Sequence, residues 1–314
     1  YAITVGESMT AGTINFLNSG YTLSAASSVI FNPTTTFSVA SGKTATIGSN
    51  VAINRSSAGT VTLSGGGTIN IAGTGAKVYT GGSFQNIAVS GNTTVDVQTG
   101  GVIYTNHMSS VTVAVNSGLL KVTGGDVEVR NDHSNGNAAA ASLVIGSGSG
   151  NTGTLTLDSG SVKIFRTSRS TSIISERVSG NLIIGRNSSG AGTGIVNVNG
   201  GLLTVPNERY VGGTGNNGPG TNGAIILTDG NSTNATLNVT NGIASVGPTS
   251  VRGLRFFNTD AQTNATATTN LTGGTLTIPI ITTYANSGSG TTGTFNFNGG
   301  TLQANASQAV MIGI

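Results

Sequence analysis

A thirteen-residue stretch that returns at a fixed offset constrains this chain more than any other feature. Residues 152–164, TGTLTLDSGSVKI, lie over 193–205, TGIVNVNGGLLTV, without a gap; a second step of the same length lands on 237–246, LNVTNGIASV. Looser copies stand at 113–122 (VAVNSGLLKV), 270–278 (NLTGGTLTI) and 295–303 (FNFNGGTLQ). Anchored on one apolar position, the copies fall at Val115, Leu157, Val198, Val239, Leu271 and Phe297, with nearly equal steps as far as Val239 and shorter ones after it. Self-similarity of this kind belongs to arrays in which each unit stacks on the next. A β-sandwich, although also built of short strands, has no reason to repeat a template at a fixed offset.

Inside the template, apolar residues alternate with Thr, Ser and Asn over four to six positions and each run ends at Gly, Asn or Ser, as in Thr154-Leu155-Thr156-Leu157. Such period-two runs closed by turn residues are strand signals, and no stretch with helical spacing interrupts them. Ahead of each strand pair lies a further piece, Leu143-Val144-Ile145-Gly146 and Leu182-Ile183-Ile184-Gly185, with Tyr210-Val211-Gly212-Gly213 as a weaker copy. Three strands per unit, separated by corners, predict an all-β chain folded as a parallel β-helix, a β-solenoid with triangular rungs and loop insertions. The repeat solenoid is expected over residues 111–314. Residues 1–110 show the same chemistry at shorter, less regular spacing and are expected to form irregular rungs or a cap. The unit from Leu271 to Phe297 is much shorter than the unit from Leu157 to Val198, so the longer one must carry a removable segment. That segment is 165–179, which holds Arg166, Arg169, Glu176 and Arg177.

Composition excludes several classes. Gly at 50 of 314 residues without a three-residue period, alongside only 5 Pro, is not collagen. Hydrophobic residues at 36% with a net charge of +3 are not the signature of disorder. No run of about 18 apolar residues offers a membrane-spanning helix. The pI near 9.4 rests on 13 Lys and Arg against 10 Asp and Glu, too thin and scattered a surplus for a nucleic-acid stripe. There is no Cys, hence neither a disulfide framework nor a thiolate site. The chain opens at Tyr1, and a processed, exported polypeptide is the expectation.

Ile145-Gly146 followed by Gly153-Thr154-Leu155-Thr156-Leu157, and Gly299-Gly300-Thr301-Leu302, resemble the autotransporter-associated and PEP-CTERM-associated β-strand repeats of bacterial surface proteins. The likeness covers about residues 140–305. It implies an exported passenger-type β-solenoid, extracellular or at the cell surface. The family's C-terminal membrane barrel and sorting tail have no counterpart in this sequence, and a cleaved or differently anchored chain is the expectation.

Candidate sites are few. Asp126, Glu128, Arg130 and Asp132 are spaced to share one strand face, where Asp126, Glu128 and Asp132 are weak candidates for Ca²⁺, a cation that takes six to eight oxygens. The simpler reading is an outward face with self-compensating charge. His107 and His133 are the only histidines, and no catalytic residues or other cofactor are assigned. Lys121 and Lys163 share a template position, so an acid beside them or an intervening insertion is expected. Both termini read as apolar strands: Tyr1, Ile3 and Val5 at one end, Val310, Met311, Ile312 and Ile314 at the other. Strand-like ends invite completion by another copy. The leading expectation is therefore a non-enzymatic structural subunit that polymerises head to tail into an extracellular filament or matrix. The alternatives are a surface adhesin binding glycans or host surfaces through the loop residues Arg166, Arg169 and Arg177 and, behind it, a polysaccharide lyase or hydrolase on the same fold.

Overall fold

The computed structural model describes all residues except 55–57, 81–84, 108–110, 134–140, 169–179, 188–189, 207–222, 249, 251, 259–261, 284–287, 306–311 and 314; of 33–35, 85, 106–107, 132–133, 166–168 and 312–313 it describes the backbone only. Among the described residues there is no helix, and 29 strands join one continuous sheet whose strand pairings are all parallel. Each coil of chain supplies three walls in turn, as Thr193–Val198 (wall 1), Leu202–Val205 (wall 2) and Ala224–Asp229 (wall 3) illustrate. Four long strands, Met9–Phe16, Val29–Val39, Gly118–His133 and Thr152–Ser168, round a corner and serve two walls each, so the 29 strands fill eleven coils. The chain is a parallel β-helix.

What sets the register is the inward file of side chains. On wall 1 one such file runs Ile3, Leu23, Ile47, Ile71, Val97, Val122, Leu157, Val198, Val239, Leu271 and Phe297, each residue paired directly with the next. From Ile47 to Val239 every member is fully buried. A slip of one residue in any coil would turn its Val and Leu side chains to solvent and its Thr and Asn side chains inward, so the register is strongly specified. The coils are short and nearly uniform between Leu23 and Val122. On the outward neighbours of this file, from Thr156 through Asn197, Asn238 and Asn270 to Asn296, the successive steps are 41, 41, 32 and 26 residues. Strands before and after residues 108–110 pair with one another, Ile87 with Val113 and Ile103 with Val127.

One expected step is corrected. Val115 does not precede Leu157 but pairs with Ile145 on wall 3, and the partner of Leu157 is Val122. The misreading has a local cause: Val111–Val115 is a wall-3 strand joined to the next wall-1 strand by only Asn116 and Ser117, which imitates the template's strand, corner and strand. Lys121 and Lys163 consequently do not share a position. Lys121 lies on wall 1 against Thr156, whereas Lys163 lies on wall 2 between Glu128 and Thr204.

The corners follow from backbone sterics. In coils 8–11 walls 1 and 2 are joined by three residues, with Gly201, Gly274 and Gly300 at φ 67°, 63° and 76°. A Cβ on Gly274 would stand 2.4 Å from the carbonyl oxygen of Gly242 in the coil before it, so this corner needs Gly for space as well as for backbone angle. At the end of wall 3 the left-handed position is taken by Gly146 and Gly185, then by Thr228 (φ 66°) and Phe257 (φ 61°). This corrects the third member of the Leu-Ile-Ile-Gly series: it is Ala224–Asp229, paired with Asn181–Arg186, and residues 210–213 lie outside the described residues.

Length variation concentrates at the corner between walls 2 and 3, where the connection ranges from residues 279–280 in coil 10 to 206–223 in coil 8. The expected insertion at 165–179 begins later than its sequence suggests, because Thr152–Ser168 continues as strand. Wall 3 is also apolar on its outer side here: Val144, Ile183 and Ile226 point away from the lumen yet are buried, as strands covered on both faces are.

Thr269 is a mismatched core position. The Thr269 hydroxyl is fully buried between Leu237 and Phe295 and has no hydrogen-bond partner. Thr269→Val, which keeps the shape and removes the desolvated hydroxyl, should raise stability by about 1 kcal/mol, read from the denaturant midpoint; a lower midpoint would show that the hydroxyl is satisfied in solution.

Candidate functional site

From coil 5 onward the outer faces of walls 1 and 2 divide into two zones. In coils 5–7 they are charged. Gly118–His133 places Asp126, Glu128 and Arg130 outward while Val127 and Val129 are fully buried, so the alternation expected from even spacing holds for these residues. Asp126 is exposed and accepts a hydrogen bond from the Ser161 hydroxyl, Lys163 faces Glu128 across the strand pair, and Arg130 stacks over the Phe165 ring at 6.0 Å. Lys121 is paired with Asp158 at 3.5 Å, which supplies the expected neighbouring acid. Opposite charges sit side by side, and among the described residues no group of three His, Asp or Glu side chains is placed to hold a metal ion. The Asp132 side chain, like those of His107 and His133, lies outside the described residues.

In coils 8–11 neither wall 1 nor wall 2 carries a charged residue. Wall 1 there bears an amide ladder: Asn296 donates to Asn270, Asn270 to Asn238 and Asn238 to Asn197, each from Nδ2 to Oδ1 at 2.8 Å. Asn197 donates onward to the Thr156 hydroxyl at 3.4 Å. A parallel chain runs beside it, the Thr240 hydroxyl donating to Asn199 (3.1 Å) and Asn199 to Asp158 (2.9 Å), where the neutral zone meets the Lys121–Asp158 pair. On wall 2 the Ser245 hydroxyl donates to Thr204 at 2.9 Å. These links arise because in-register parallel coils set identical side chains directly over one another, the arrangement that favours Asn ladders in stacked sheets. The sequence template holds the Asn residues, but their head-to-tail bonding depends on coil register and could not be read from spacing alone.

The third feature is the pair of axial faces. In the first coil Tyr1 is 83% and Ile3 38% exposed, while Val5 is buried and donates its backbone N–H to Ser24. The Tyr1 ring packs on Tyr21 and Phe16 on Phe37, with centroids 5.6 and 5.2 Å apart. In the last coil Phe297, although it occupies an inward file, is 55% exposed: Leu271 pairs with it on one side, and no described residue pairs with it on the other. Val310, Met311 and Ile314 lie outside the described residues, and of Ile312 only the backbone is described, as part of the wall-3 strand Ile312–Gly313. Arg169 and Arg177 are likewise outside; Arg166 sits in strand opposite Asn131 with its side chain undescribed.

Compared with models of known protein families, with curated proteins and with solved structures, the chain matches none.

The amide ladder adds measurable stability. Asn238→Ala removes one donor and one acceptor link and should cost about 1–2 kcal/mol, seen as a lower urea midpoint at unchanged slope; an unchanged midpoint would mean that water replaces both bonds without loss.

Proposed function

We propose that the chain is a structural rod of an extracellular or cell-surface assembly, extended by stacking one copy on the next along the solenoid axis. The observation that carries this reading is the state of the two axial faces. The strand Ala2–Thr4 uses one edge on Tyr21–Ser24, and Thr292–Phe297 uses one edge on Thr266–Leu271; among the described residues nothing pairs with the opposite edges, which lie beside exposed apolar side chains. Open edges of this kind are templates for strand addition.

Extending the wall-1 files by one coil sets Phe297 of one copy over Ile3 of the next and Phe295 over Tyr1, an apolar and an aromatic contact in the register that the rest of the wall already keeps. A head-to-tail contact that does not close on itself gives an open filament. The strand-repeat resemblance supports an exported, surface-associated setting, and the direct pairing of Glu128 with the oppositely charged Lys163 supports a structural rather than a catalytic role.

Sedimentation and electron microscopy of the purified chain test this reading. The expected outcome is concentration-dependent linear oligomers one solenoid wide, which Phe297→Lys reduces to monomers by placing a charge in the axial contact. Monodisperse particles at high concentration, or oligomers that Phe297→Lys leaves unchanged, would overturn it.

A further inference from the structure

The outer face of wall 1 in coils 8–11 is more regular than folding or axial stacking requires. Its outward positions form four files across four ranks, and every position is Thr or Asn except Ile195. Thr266–Leu271 with the following Thr272 gives one rank: Thr266, Thr268, Asn270 and Thr272. Residue pairing from coil 8 to coil 11 has no register shift, so the files are straight. Ranks are separated by about 4.7–4.9 Å and outward side chains within a rank by about 6.6 Å, the dimensions of a parallel sheet.

The grid is also chemically uniform. Each Asn inside the ladder spends one N–H and one acceptor site on its neighbours, leaving the second N–H and remaining acceptor capacity repeated from rank to rank. Thr adds a hydroxyl and a methyl whose orientations are restricted at χ1, so little side-chain freedom remains to be lost on contact. The longest insertions leave from the corner between walls 2 and 3, which in a three-walled coil is opposite this face.

A surface with two-dimensional translational order is matched by a partner that has it too. Soluble glycans and unfolded peptides do not, and a mineral lattice would call for charge, of which this face has none. Ice is a neutral lattice of hydrogen-bond donors and acceptors whose shortest repeat is close to the separation of strands in a sheet. Charge complementarity points the same way, since a neutral grid carries no tightly held ionic hydration shell to be stripped at a crystal surface. We propose that the Thr and Asn grid of wall 1 in coils 8–11 is an ice-binding face. This inference uses a different surface from axial stacking and does not depend on it.

The test is to grow an ice front slowly through a solution of the purified chain and measure the protein carried into the ice. Wild-type protein should be incorporated and should slow ice recrystallisation. Thr236→Tyr with Thr268→Tyr, which raises bulk from the grid without touching the amide ladder, should lose both effects at unchanged circular dichroism. Ile243→Tyr on the exposed outer side of wall 2 should lose neither. If the double variant does not fold, Thr268→Lys alone serves in its place. Wild-type protein left in the liquid, retention of both effects in the grid variant, or equal loss with Ile243→Tyr would overturn the proposal.

Discussion

No coil of this chain can satisfy itself. Between strands, backbone groups pair with the coils before and after, and each inward side chain is buried because another lies directly above and below. In-register parallel stacking is therefore the constraint on which everything else depends. It demands short side chains or none at the tight corners, as Gly274 shows against the Gly242 carbonyl. It aligns like residues into files, so that Asn197, Asn238, Asn270 and Asn296 become a bonded ladder rather than four separate amides. It also tolerates insertions at a corner, where added residues leave the sheet without disturbing the register on either side.

Much of this was legible in the sequence because stacking is translational: equivalent positions must alternate alike, and four of the five template steps coincide with real coil-to-coil pairings. What was lost shows where the signal ends. The Val115 step failed because a two-residue corner and a three-residue corner look alike when Gly, Ser and Asn all serve as turn residues. The strand Ala224–Asp229 was missed because Thr228, not Gly, takes the positive φ that Gly146 and Gly185 take in the preceding coils, and Phe257 repeats the substitution in the next. A motif defined by Gly cannot find a corner held by its surroundings. The first coils escaped the template because coils such as Leu23 to Ile47 and Ile47 to Ile71 are short and lack the insertions that made the later period conspicuous.

Surface chemistry follows the same logic with a different outcome in each half. In coils 5–7 the charges that face one another from coil to coil are opposite in sign, Asp96 against Lys121 and Glu128 against Lys163, which suits exposed files in which like charges would otherwise meet. From coil 8 onward walls 1 and 2 replace charge by hydroxyl and amide, groups that can bond to their own kind above and below. The proposed roles draw on separate parts of this design: the axial faces for growth of the rod, the neutral wall for contact with a periodic surface.

The stacked-coil account makes distance depend on coils crossed, not on residues elapsed. Thr46 and Asn238 lie in one outward file, six pairings apart through Asn70, Asp96, Lys121, Thr156 and Asn197. Spin labels at these two positions, measured by pulsed dipolar spectroscopy, should report a single narrow distribution corresponding to a backbone separation of about 29 Å, six strand spacings. A broad distribution, or a separation of one or two strand spacings such as a folded-back pair of sheets would give, would contradict it.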